Sequence, residues 1–175
     1  MFAKVTAAVF AASLFSVGLL AQGAAPKPTD PQIAHIAYTA GLIDIAAAKQ
    51  ALSMTKNAEV RKFAESMVAD HTKVNDLALA LVKELNVTPE DNPTSKGLKA
   101  AGDAKLAEFA KLSGAAFDKA YMANEVAYHK TVNGAVETVL IPSSSNAKLK
   151  ALLQTGLKIF KGHQEHAEHT LSMLK

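Results

Sequence analysis

After residue 30, apolar residues recur at three- and four-residue spacing through almost the whole chain, and no segment alternates as a half-buried strand would. That period predicts helices over 31–55, 57–86, 96–112, 114–141 and 146–174. The breaks between them are chemical. Asp30 can cap the first helix, and Pro31 suits a first-turn position where its missing N–H costs nothing. Asn57 can cap the second helix. "NVTPEDNPTSKG", the Ser113–Gly114 pair and "IPSSSN" supply the remaining interruptions. Four long helices and one short helix in a single domain predict an all-α fold, a four-helix bundle with an additional short helix in the connection between helices 2 and 4. The stretch from 87 to 113 is either a crossover, as in ferritin-like bundles, or a cap between antiparallel neighbours.

The chain before residue 30 has a different pattern. "MFAK" carries one positive charge, "VTAAVFAASLFSVGLLA" is uncharged and apolar, and "AQGAAPKP" follows with small residues. This is the pattern of an export signal, with cleavage expected after Gly23. The alternative is an uncleaved inner-membrane anchor over residues 5–21, since the run with its flanks is about long enough to span a bilayer. Either way the remainder is exported to the periplasm or beyond. The expected division is a signal over 1–23, a linker over 24–30 and a helical domain over 31–175.

Each predicted buried seam is interrupted near its middle by a polar group. Helix 1 runs Ile33, Ala37, Ala40, then Asp44, and resumes at Ala47. Helix 2 runs Val60, Ala64, Met67, then His71, and resumes at Val74. The fourth helix runs Asp118, Met122, Glu125, His129, Val132, Val136 and Val139. The last carries Leu149, Leu152, Gly156 and Ile159 before His163 and His166. Helices of similar length packed side by side bring their midpoints to one level, whichever way each runs. His71, His129, His163 and Asp44 therefore form a layer, with Glu125 and His166 one turn away. Imidazole suits zinc, copper, nickel and iron, and a four-ligand shell of nitrogen and oxygen is typical of zinc. The competing reading is a buried polar network without metal, in which every group would have to be paired. His169 is rotated away from the seam, as suits a cation-tolerant helix end. His35 is peripheral too. If the helices run up-down-up-down, His35 and His169 share an end and form a weak second site.

Composition narrows the functions. The formal net charge is +3 and the lysines are scattered, so no basic stripe with interleaved aromatics exists to bind nucleic acid. With no cysteine in the chain, disulfides, thiolate catalysis and cysteine-type zinc sites are excluded. The serines cluster in loops apart from the histidines, so no nucleophile–base–orienter arrangement can be assembled. Classical di-iron chemistry uses about four carboxylates and two Glu-x-x-His pairs. No Glu-x-x-His occurs, and Glu125 to His129 has the wrong spacing. Zinc or copper is therefore favoured over iron.

"FAESMVADH" (63–71), "SGAAFDKAYMANEVAYH" (113–129) and "LKIFKGHQEHA" (157–167) resemble the bacterial family called domain of unknown function 4142. The resemblance covers roughly residues 30–174 and implies an exported, ferritin-like helical protein. It marks Asp70, His71, Phe117, Asp118, Tyr121, His129 and His163 as signature positions. His166 and His169 look like additions, and Asp44 stands where the family is expected to carry Glu. Three functions follow: an exported protein that binds a transition metal through the mid-bundle layer; an envelope structural or stress-related interaction protein whose polar layer holds no metal; or a metal-dependent enzyme with an open coordination position. The sequence leans against the last.

Overall fold

In the computed structural model, which describes residues 27–174, Thr29 rather than Asp30 caps the first helix, α1 (Asp30–Met54). The Thr29 hydroxyl accepts the Gln32 N–H, and the Gln32 side chain accepts the Thr29 N–H in return. Asp30 is thereby free for a longer-range task. Its carboxylate accepts the backbone N–H groups of Ser145 and Asn146 and the hydroxyls of Ser144 and Ser145. Burial acts to raise this carboxyl, but the bonds from Ser145, Ser144 and Asn146 outweigh it and hold the pKa below its ordinary value. The expected signal or anchor lies outside the described residues. Among those described, no helix is long and apolar enough to cross a membrane.

The other elements also begin and end for local reasons. Asn57 accepts two N–H groups of α2 (Ala58–Glu84), as its position predicts. Asn86, at φ 52°, closes that helix in the left-handed conformation that asparagine tolerates. α3 (Pro93–Phe109) starts three residues before the predicted 96, because Asn92 and Ser95 form a capping box around Pro93. α4 (Gly114–Ala135) begins at a glycine with φ 54°. It runs on through a π-helical turn (Val136–Leu140) into a short α5 (Ile141–Ser143). α6 (Ala147–Met173) is capped by Asn146.

The π turn corrects one predicted seam. Pro142 has no N–H to offer and its ring crowds the preceding turn, and the Ile141 N–H bonds back five residues to the Val136 carbonyl. The extra residue per turn shifts the helical phase. Val139, predicted inside, is 44 % exposed, and Leu140 is buried instead.

The described residues are all helical or connecting, with no strand. α1 packs on α2, α3 and α4, and α6 packs on α2 and α4. The Asp30 clasp puts the start of α6 beside the start of α1. Gln50 near the end of α1 donates to the Leu106 carbonyl near the end of α3, while Asn92 reaches the Gln32 carbonyl near both starts. α3 therefore runs alongside α1 and carries the chain from one end to the other, a crossover rather than a cap. α1 and α6 consequently run the same way, and His35 and His169 lie at opposite ends. The second site that required a shared end is not formed.

Two apolar clusters flank the middle. One gathers Val60, Phe63, Met67, Phe109, Phe117, Tyr121 and Met122. The other holds Ile33, Ile36, Val136, Leu140, Leu149 and Leu153. Between them α2 closes on α1 at Gly41, where an added Cβ would meet the Asn75 amide oxygen at 2.5 Å. Asp44 stands one turn further along the same helix.

Removing the Asp30 clasp should loosen the register of α1 against α6. Asp30→Ala is expected to cost about 1–2 kcal/mol, the range for a partly exposed charged acceptor, measured by urea unfolding. A loss within the roughly 0.5 kcal/mol typical of surface substitutions would contradict that role.

Candidate metal centre

The middle layer is built from one or two residues of each long helix. α1 supplies Asp44, α2 supplies His71, α4 supplies Glu125 and His129 one turn apart on one face, and α6 supplies His163. None of these five is more than 6 % exposed. One ligand atom from each of His71, His129 and His163 lies within 4.8 Å of the others, and the same holds for Asp44, Glu125 and His129. His129 belongs to both groups. His71 Nε2 stands 3.5 Å from Asp44 Oδ2, which ties the two groups on their other side.

The surroundings decide which ring nitrogens are free. A carbonyl oxygen only accepts, so His129 Nδ1 carries the hydrogen and donates it to the Glu125 backbone oxygen at 2.9 Å. Its Nε2 then offers a lone pair and has no partner. His163 Nε2 donates to Asp70 Oδ2 at 2.9 Å, and its Nδ1 is equally unpartnered. Metal-ligating imidazoles are typically oriented in this manner, with the far nitrogen donating to a carbonyl or carboxylate. His71 is held differently: its ring stacks on Phe160 at 4.5 Å with 3° between the planes. Both of its nitrogens lack a hydrogen-bond partner, as do both carboxyl oxygens of Glu125.

Desolvation removes charge from this layer. Burial lowers His71 well below its ordinary pKa, with His163 and His129 adding to the effect. Burial also lowers His129, to about 4. It pushes Glu125 up to about 8 and raises Asp44 well above the usual carboxylate range, the latter with help from Glu125. Near neutral pH the cation-free layer holds His71 and His129 as neutral imidazoles and Asp44 and Glu125 as protonated carboxyls. Neutral imidazole is the form that ligates a metal.

Of the six residues that the seams single out, the structure brings five together. His166 is not among them: it is only partly buried and sets its ring edge-on to Phe63 at 5.2 Å. His169 is exposed, and His35 lies 3.9 Å from Asp91 at the other end. Seam periodicity misses Asp70, which flanks the buried face with a side chain 45 % exposed. The resemblance, through its Asp-His pair, does mark it. Periodicity also gives no reason to choose Phe160. Tyr121, another signature position, is fully buried with no partner for its hydroxyl.

Residues 18–170 match the family model described as "Domain of unknown function (DUF4142)". No curated protein and no solved structure matches the chain.

The shifted groups give the metal-free protein a defined pH profile. His129 is depressed, so the unfolded chain takes up a proton that the folded state refuses, and stability falls as pH drops from 6.5 towards 4. Glu125 is raised, so the folded state keeps a proton that the unfolded chain releases, and stability falls as pH rises from 4.5 to about 8. Asp44 acts in the same sense as Glu125. Above about pH 6.5 only the carboxyl slope remains, at most about 1.4 kcal/mol per pH unit for each proton. Chelator-treated protein should therefore lose stability from about pH 6.5 to 8 in denaturant titrations, and Glu125→Gln should reduce that slope. An equal slope in both proteins would contradict the assignment.

Proposed function

The chain belongs to the family of domain of unknown function 4142, and from that premise and the mid-helix layer we propose that it is an exported protein that binds a transition metal. On this reading its helices form a ferritin-like four-helix bundle with α3 as the crossover. His71 and the free nitrogens of His129 and His163 ligate the ion, and Asp44 or Glu125 completes the shell. A shell of imidazoles and a carboxylate suits zinc or copper. Export rests on the sequence pattern of residues 1–23.

One observation carries the proposal. Six buried nitrogen and oxygen atoms of His71, Glu125, His129 and His163 lie in this layer without hydrogen-bond partners. Each such atom costs about 1–3 kcal/mol if left unmet. A polar layer that only specified packing would have its members paired with one another. Within the layer His71 Nε2 stands 3.5 Å from the Asp44 carboxyl and His129 Nδ1 stands 3.6 Å from that of Glu125, both too long for hydrogen bonds. A cation there would satisfy one such atom from each of its ligands at once. It would also draw protons off Asp44 and Glu125, so loading releases protons.

Thermal melts with Zn(II) or Cu(II) test the ligand set. Metal bound only by the folded state stabilises by about 2.7 kcal/mol at a hundredfold excess over Kd. The shift is expected in wild type, should weaken as pH falls below about 8, where Glu125 regains the proton that the ion must displace, and should largely vanish in His71→Ala, His129→Ala and His163→Ala. His169→Ala should retain it. A shift that survives all three core substitutions and disappears with His169→Ala would move the site to the helix surface.

Iron chemistry provides a separate check. Asp44 and Glu125 are the only carboxyls in the two ligand groups among the described residues, fewer than the roughly four of a di-iron site. Anaerobic loading with Fe(II) followed by oxygen should give no rapid oxo-bridge absorption. Fast oxidation of about two irons per chain, as in di-iron bundles, would refute this ligand set.

A further inference from the structure

The two sides of the histidine layer are packed very differently. On one side Phe63, Met67, Phe117, Tyr121 and Met122 are fully buried and the interior is closed. On the other, the seam residues Ala37, Val74, Ala78, Val132 and Leu152 are only half-buried, although each faces inward. They line a cavity of about 810 Å³ that begins where α1, α3 and α6 start and ends at Asp44 and His71. Close-packed interiors contain few voids larger than a water molecule, whereas small-molecule sites occupy about 300–1,000 Å³.

We propose that this cavity binds a single-chain aliphatic amphiphile of fatty-acid type, its tail pointing inward to Asp44 and His71 and its anionic head at the rim. The walls are mostly apolar, with alanine, valine and leucine the commonest residues, which give water few partners and suit a methylene chain. The rim is polar, with Lys27, Gln32 and Thr94, and Lys27 supplies the cation. Gln32 and Asp44 are separated by about 18 Å of helical rise, so the space is long rather than round. Part of the wall is the π turn, through Val136, Val139 and Leu140. Such turns recur at functional sites, where they re-aim side chains.

The neutral fluorophore N-phenylnaphthylamine and the competitor dodecanoate test this without any metal. The purified protein should bind the fluorophore saturably, and dodecanoate should displace it to form a one-to-one complex visible in native mass spectrometry. Ala37→Phe and Ala78→Phe fill the cavity from α1 and α2. Each should weaken both ligands by about tenfold or more while retaining wild-type circular dichroism. Lys27→Ala should weaken dodecanoate and spare the fluorophore, and unchanged dodecanoate affinity would overturn the placement of the head group. Absence of saturable binding in wild type would overturn the site itself, as would a one-to-one complex that survives both filling variants. His163→Ala lies outside the cavity lining and should bind the fluorophore normally. Loss of Zn(II) stabilisation with fluorophore binding intact would thus concern the metal layer alone, and the reverse result the cavity alone.

Discussion

Five ionisable side chains meet inside an apolar protein, and every element around them is placed by the need to hold them there. Taking Asp44, His71, Glu125, His129 and His163 out of water is costly unless the charged forms are paired or neutralised. The fold neutralises four of them: burial lowers His71 and His129 and raises Asp44 and Glu125. What remains are two overlapping groups, His71, His129 and His163 and Asp44, Glu125 and His129, each with ligand atoms within 4.8 Å of one another. Ordinary hydrogen bonding satisfies only the outward nitrogens, His129 Nδ1 through a carbonyl and His163 Nε2 through Asp70.

Bringing four helices to one height requires their ends to be fixed. Asp30 ties the start of α1 to the cap of α6, and α3 is pinned to α1 near both of its ends. Gly41 lets the Asn75 side chain lie against α1 just below Asp44. The aromatic cluster then locks one side of the layer, while the side lined by Ala37, Ala78 and the π turn stays open. Rigid packing on one flank and free space on the other is a combination suited to holding an ion and admitting a second ligand beside it.

Much of this could be read from the sequence, because the governing physics is periodic. Three-four spacing places Asp44, His71, His129 and His163 on inward faces, and helix midpoints bring them level without any knowledge of direction. Topology was not readable, since "NVTPEDNPTSKG" and the helix after it are equally compatible with a cap or a crossover until Asn92 and Gln50 find their partners. Val139 was misplaced because a period assumes 3.6 residues per turn, and Pro142 forces a wider one. His166 satisfied the spacing rule yet turned towards Phe63, a choice made by packing rather than by phase. Asp70 was legible only through its pairing with His71 in a family pattern, because a half-exposed flank residue leaves no trace in a hydrophobic seam.

X-ray absorption at the metal edge of protein loaded with one equivalent of Zn(II) reads the ligand shell itself. A four-coordinate shell of nitrogen and oxygen at about 2.0–2.1 Å is expected, with outer-shell scattering from the rings of His71, His129 and His163. That scattering should diminish in His129→Ala. A shell of water and carboxylate oxygens with at most one imidazole, unchanged by His129→Ala, would contradict this ligand set.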